Sequence, residues 1–208
     1  MKSFETETRL PFLERPDLSP FIVHLTKASA TGSAFDNLLS ILEDGEIHGS
    51  SKTKGFIKGP NKATCFMDIP LHSLKYVINK SNTDRKSPRY GSCGILVSKN
   101  FAYNSGARPV LYLSGQELSD LKIPTREHWR VVRFEGVSNQ AIGWSHEREW
   151  RIKGNLKLPP EPLTVFVKNS VQASKLAEVL KKAPERFKAV PRSIIPLNIL
   201  CQGLPYLS

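Results

Sequence analysis

Two sets of polar residues stand where a folded chain ordinarily places apolar ones, and both could do chemistry. His24 lies inside the apolar run FIVHL, residues 21–25. A neutral imidazole there must have its ring nitrogens satisfied by partners, and Thr26, two residues on, points to the same face of a strand. The second set is Glu147 and Glu149 in SHEREWRIK, residues 145–153. On a strand these carboxylates share one face while Arg148 and Trp150 take the other. Trp150 and Ile152 read as buried, so the carboxylates are carried toward the core. There a carboxylate can bind a hydroxyl or stabilise positive charge in a transition state, as glycosyl transfer requires. An ion-pair cluster with Arg148 or Arg151 is the structural alternative. Glu149 directly precedes Trp150 and is expected to sit deeper, where low dielectric strengthens its action on a developing positive charge.

The elements that must position these residues can be read from periodicity. FIVHL is a short, largely buried strand. A helix follows over residues 34–43, with Phe35, Leu38, Leu39, Ile41 and Leu42 at helical spacing, Ser33 as N-cap and Gly45 as the closing glycine. TCFMDI (64–69) has strand composition and stops at Pro70, after which 71–79 form a short helix. Strands are expected at 92–98, 109–113, 131–134, 150–152 and 163–167. The helix over 171–183 carries Ala173, Leu176, Ala177, Leu180 and Ala183 on one face, has a capping-box pattern at Asn169 and Gln172, and ends at Pro184. The apolar run 193–201 closes the sheet. This is an α+β pattern on a mixed or antiparallel central sheet flanked by helices.

The chain has 208 residues, of which 39% are hydrophobic and 24% charged, as expected of one globular domain with residues 1–20 as an N-terminal extension and 21–208 as the core. No apolar run reaches the length of a membrane span, and acids and prolines break the amino terminus where a signal peptide needs an apolar stretch. A cytoplasmic protein with no membrane partner is expected. Cys65, Cys93 and Cys201 lie in apolar contexts at wide spacing, which makes them structural thiols and leaves no metal site. With 30 Lys+Arg against 19 Asp+Glu the formal charge is +11, which favours a polyanionic partner, above all a nucleic acid. Lys52, Lys54, Lys58 and Lys62 fall in the acid-free stretch 48–62, expected to be a loose loop beside the cleft, and Arg85, Lys86 and Arg89 form a second cluster.

HLTK at His24–Lys27 with NLLSILEDGEI at Asn37–Ile47 resembles the first strand and helix of the ADP-ribosyltransferase superfamily, especially its DarT-like bacterial toxin branches. EREWRI at Glu147–Ile152 resembles the late strand that carries the superfamily's glutamate. CFMDIPL and RYGSCGI resemble the AbiGi-type abortive phage-resistance proteins. The resemblance implies NAD as a substrate. His24 then matches the residue that hydrogen-bonds its ribose, Glu149 the carboxylate that binds the nicotinamide ribose and stabilises oxocarbenium character, and Glu147 the upstream glutamate that helps orient the acceptor. Tyr90 or Phe66 is available to stack on nicotinamide, Thr26 lies beside His24, and Lys54 and Lys58 fall in a donor-binding loop that meets the pyrophosphate. It also implies a toxin or phage-defence effector acting on a nucleic acid or protein, with an antitoxin or defence-system partner. The branch with arginine in the first strand carries Ser-Thr-Ser in the second, whereas this chain has His24 and CFMDI.

Two other readings stand beside this one. A metal-independent ribonuclease would use His24, His146 and Lys or Arg side chains for proton transfer and phosphate charge. A basic nucleic-acid-binding module without catalysis would keep the glutamates as structure. An enzyme requires His24 and Glu149 to converge in one cleft, so their strands should be adjacent or next but one.

Overall fold

The structure, a computed structural model, describes residues 18–51, 56–79, 83, 89–135, 143–159 and 163–201. Residues 1–17, Lys52, Lys54, Arg85 and Lys86 lie outside the described residues. A four-stranded mixed sheet is the centre of the fold. It is built from β1 (Phe21–Thr26), β4 (Cys93–Ser98), β10 (Thr164–Val167) and β11 (Ser193–Pro196), in that order. β1 and β10 flank β4 antiparallel, and β11 adds parallel to β10. Both faces are covered, which is why these strands read as nearly continuous apolar runs. Ile22, Ile95, Val165 and Val167 join Phe35, Leu38, Leu42 and Leu176 in one core. Val23, Leu96 and Phe166 join Met67, Leu74, Ile78 and Leu197 in a second.

The first core is supplied by α1 (Ala34–Asp44) and α5 (Ser170–Lys182). Phe35, Leu38 and Leu42 recur at helical spacing and are fully buried, each such side chain contributing about 1.5–3 kcal/mol. Ser33 caps α1: its hydroxyl accepts the Asp36 N–H while the Asp36 carboxylate accepts the Ser33 N–H. Gly45 ends the helix at φ 64°, a left-handed conformation that glycine takes without steric cost. At α5, Asn169 caps the Gln172 N–H as expected, but Gln172 does not reciprocate. Its side-chain oxygen accepts from the Lys168 N–H instead.

A second sheet joins β3 (Ala63–Phe66), β8 (Trp150–Lys153) and β5 (Arg108–Pro109). Just past β3, Met67 and Val23 exchange both backbone hydrogen bonds at 2.8 Å, which hooks this sheet onto β1. β1 and β8 are therefore next but one, with β3 between them. The expected strand 109–113 is split at Val110 into β5 and β6 (Leu111–Leu113), because the Val110 N–H turns to the Glu149 carbonyl while β6 pairs in parallel with β7 (Val131–Arg133). β2 (Glu46–Ile47) pairs with β9 (Leu156–Lys157). Two short helices lie outside the periodicity reading, α3 (Lys99–Asn104) and α4 (Gly115–Asp120), capped by Ser98 and Ser114. α2 (Leu74–Val77) and α6 (Leu197–Leu200) cover the second core, and a 3-10 turn, Thr125–Arg130, lies over β8. Among the described residues no helix is long and apolar enough to cross a membrane.

Candidate active site

The two glutamates do not share a strand face. Ser145–Glu147 is a 3-10 turn, Arg148 takes the left-handed conformation at φ 45° and ψ 52°, and β8 begins only at Trp150. A non-glycine residue there costs on the order of 1–3 kcal/mol, so the surroundings must hold it. They do. The Arg148 Nε–H donates to the Asp68 carbonyl at 2.7 Å, and the Asp68 N–H donates to the Glu147 carbonyl at 3.1 Å. The Tyr112 hydroxyl accepts the Glu149 N–H at 2.9 Å, and the Glu149 carbonyl accepts the Val110 N–H. The Asp68 carboxylate in turn binds Lys99 Nζ at 2.8 Å and the Trp150 indole N–H at 3.2 Å. The turn has the same outcome as the expected strand by another route: both carboxylates are buried and both line one cavity.

That cavity has a volume of about 490 Å³ and lies where β1, β3 and the 145–149 turn meet. It falls in the size range of small-molecule sites. Six of the candidate site residues read from the sequence line it: His24, Thr26, Phe66, Tyr90, Glu147 and Glu149. Glu149 is clamped by Arg151, whose Nε and Nη2 donate to its two carboxylate oxygens at 2.8 and 3.1 Å. The third Arg151 nitrogen, Nη1, donates to the Trp129 carbonyl at 2.8 Å and the Val131 carbonyl at 3.4 Å. Burial works against the Arg151 charge, yet the Glu149 carboxylate beside it raises its proton affinity on balance. Arg151 and Glu149 are thus the ion pair that the sequence allowed for. Cys65 sits beside them, and burial together with the Glu149 charge keeps its thiol protonated.

Glu147 is held differently. Its partner is the Tyr90 hydroxyl, which donates to Oε1. Burial raises the Glu147 carboxyl above its ordinary range despite that hydrogen bond. Burial and the Glu147 charge likewise raise the Tyr90 phenol, so it stays a donor. His24 packs edge-on against Phe66 and places Nδ1 2.9 Å from the Cys65 carbonyl. A carbonyl only accepts, so Nδ1 carries the proton and Nε2 keeps its lone pair. Burial lowers the His24 pKa and keeps the ring neutral. Thr26 lines the cavity, but its one hydroxyl proton is directed at backbone carbonyls, with Ala34 at 2.8 Å and Cys93 at 3.1 Å as its alternative acceptors.

Lys58 is not among the cavity-lining residues. The stretch that carries it is not a loose loop throughout. Ile57 is buried beside Ala63 and Trp129, Gly59 lies against Thr125 and His128, and Asn61 donates to the Arg126 carbonyl. Among its described residues, His48 and Ser50 reach the cavity. Among the described residues the lysines and arginines that line the cavity are Lys27 and Arg89, both exposed. Arg89 belongs to the second basic cluster read from the sequence, whereas Lys27 carries no such signal, and nothing in the spacing says that residues 27 and 89 meet. His146 is exposed and outside the lining. Among the described residues no cluster of His, Cys, Asp and Glu could hold a metal ion. The site therefore offers an imidazole acceptor, a carboxylate fixed by arginine, a second carboxylate with raised proton affinity, and two cations above them.

No family model matches the chain. Over 65 residues it is 40% identical to the abortive phage resistance protein AbiGi of Lactococcus lactis subsp. cremoris, a match that covers 31% of this chain and 22% of that protein. The chain thus spans about a fifth of the length of this relative. Among solved structures, it is similar to DarT of Thermus sp. 2.9 in complex with NAD+, at a TM-score of 0.50 and 15% identity, covering 88% of this chain and 97% of that one. The same DarT in complex with ADP-ribosylated ssDNA gives a TM-score of 0.48 at 16% identity, over 86% of this chain and 95% of that one. The chain shares its fold with DarT, the mixed-sheet architecture that its sequence resembles.

Proposed function

We propose that this protein cleaves NAD at the nicotinamide–ribose bond and transfers ADP-ribose to a nucleic acid or protein, as a toxin or phage-defence effector. The observation that carries this reading is the convergence of His24, Glu147 and Glu149 on one cavity, in a fold shared with a DarT bound to NAD+. Breaking that bond leaves positive charge on the ribose, so the main requirement is a fixed negative group beside it. Glu149 suits this role. Arg151 occupies one lone pair on each of its oxygens, fixes their position and leaves the other lone pairs for ribose hydroxyls.

His24 Nε2 is an acceptor for a second hydroxyl, held in one tautomer by the Cys65 carbonyl. Glu147, whose proton affinity is raised, is suited to take the proton that an acceptor group loses on attack. The charge of +11 suits a nucleic-acid acceptor. A metal-independent ribonuclease needs an acid and a base facing one phosphate, and the described geometry does not pair His146 with His24 in the cavity. The reading is tested by incubating the protein and adenine-labelled NAD with single-stranded DNA, RNA or a protein extract. Label is expected in one of these pools, with an equal amount of free nicotinamide. Intact NAD alongside cleaved RNA would replace this reading with the ribonuclease.

A further inference from the structure

The cavity is electrically two-ended. Its carboxylates, Glu147 and Glu149, are buried, while Lys27 and Arg89 line it from exposed positions. The two cations come from distant parts of the chain, and Gly91 packs the segment that follows Arg89 against the end of β1 next to Lys27. The Gly91 N–H donates to the Thr26 carbonyl at 2.8 Å, and a Cβ at Gly91 would lie 3.3 Å from Lys27 Cα. Asn37 holds the Lys27 backbone by donating to its carbonyl at 2.6 Å. Neither cation is ion-paired with a carboxylate among the described residues. Arg89 instead lies over the Trp144 ring, 4.6 Å from its centroid, beside the turn that carries Glu147.

We propose that Lys27 and Arg89 bind the diphosphate of a nucleotide at the cavity mouth, and that Arg89 rests on Trp144 until that diphosphate draws it away. The proposal deepens the reading above and rests on it for the identity of the nucleotide. A ligand with a cationic ring at one end and a diphosphate in its middle matches buried carboxylates below exposed cations. The exchange is favourable because an exposed cation–π contact is weaker than a charge-assisted hydrogen bond to phosphate. Arg89 immediately precedes Tyr90, whose hydroxyl holds Glu147, so binding of the anion is felt at the carboxylate.

The probes are ADP-ribose and ADP, which carry the diphosphate and lack nicotinamide, with binding followed by calorimetry and by tryptophan emission. The protein should bind ADP-ribose with a change in emission and a marked salt dependence. Lys27→Gln and Arg89→Gln should each weaken binding by about tenfold, and the double variant should lose most of the salt dependence. Trp144→Phe should keep the affinity and lose the emission change, while Arg89→Lys should restore most of the affinity. Circular dichroism separates these effects from misfolding. Wild-type affinity in the double variant overturns the anion pair, and unchanged emission at saturation overturns the resting position of Arg89. If NAD is not consumed while ADP-ribose binding still depends on both cations, the transfer reaction fails and the anion pair stands. Consumption of NAD with binding indifferent to both cations overturns the anion pair and leaves the transfer reaction standing.

Discussion

Arg151 grips Glu149 from both sides of the carboxylate, Nε to Oε1 at 2.8 Å and Nη2 to Oε2 at 3.1 Å, with both side chains almost wholly out of solvent. Removing one partner of such a pair leaves the other charge buried and uncompensated. Arg151→Met should therefore destabilise the protein by about 3–5 kcal/mol. Glu149→Gln should cost less, because its amide oxygen still accepts one guanidinium N–H, although its NH2 then faces the other and the Arg151 charge loses its counter-ion. Urea denaturation of both variants checks the order, and equal losses would mean that the pair does not act as a clamp.

Glu147 makes a prediction about pH. Burial raises its carboxyl, so folding favours the protonated form. The stability this contributes is present below the ordinary carboxylate range and is lost as pH rises through the raised value. Glu147→Gln has no charge to bury. Its melting temperature should exceed that of the wild type by a margin that widens with rising pH and then levels off. A margin that is constant from about pH 4 to pH 8 would contradict the assignment.

His24 has the opposite dependence. Burial lowers its pKa, so below about 6.5 the unfolded chain takes up a proton that the folded one refuses. Stability is complete above that value and is lost as pH falls toward the lowered pKa. His24→Gln should remove this part of the profile. Denaturant midpoints measured from about pH 7.5 to 5 test it, and identical slopes for both proteins would show that folding leaves the proton affinity of the ring unchanged.

These predictions rest on details that the sequence showed unequally. β1 and α1 were legible because burial on both faces, the Ser33 cap and Gly45 are local signals, and they place His24 and the cavity wall. The shared burial of Glu147 and Glu149 was legible from Trp150 and Ile152, but the route to it was not. Arg148 turns left-handed because of Asp68 and Tyr112, residues far away in the chain. α4 was legible in principle, since Ser114 and Glu117 form a capping box, but its six residues carry no apolar stripe. The lysines of 48–62 illustrate the limit of composition. Ile57 packs against Trp129, Lys58 is not among the residues lining the cavity, and of the cations at the mouth Arg89 belongs to the second basic cluster whereas Lys27 has no charge run around it.

Gly91 tests the assembly of the mouth. A Cβ there would come within 2.5 Å of the Thr26 carbonyl oxygen and 2.6 Å of Ala34 Cβ, so the backbone must shift. Gly91→Ala should cost about 1–3 kcal/mol and weaken ADP-ribose binding by separating Lys27 from Arg89. Calorimetry and denaturation on the same sample check both, and an unchanged affinity would show that the two cations act independently.

The central claim is that Glu149 stabilises a ribosyl cation formed from NAD. The measurement is nicotinamide release under single-turnover conditions by the wild type and by Glu149→Gln, with folding of the variant verified by circular dichroism. Loss of one fixed charge of this kind should slow release by about a hundredfold or more while NAD affinity changes little. A folded Glu149→Gln protein that releases nicotinamide at the wild-type rate, or a wild type that releases none, would contradict the account.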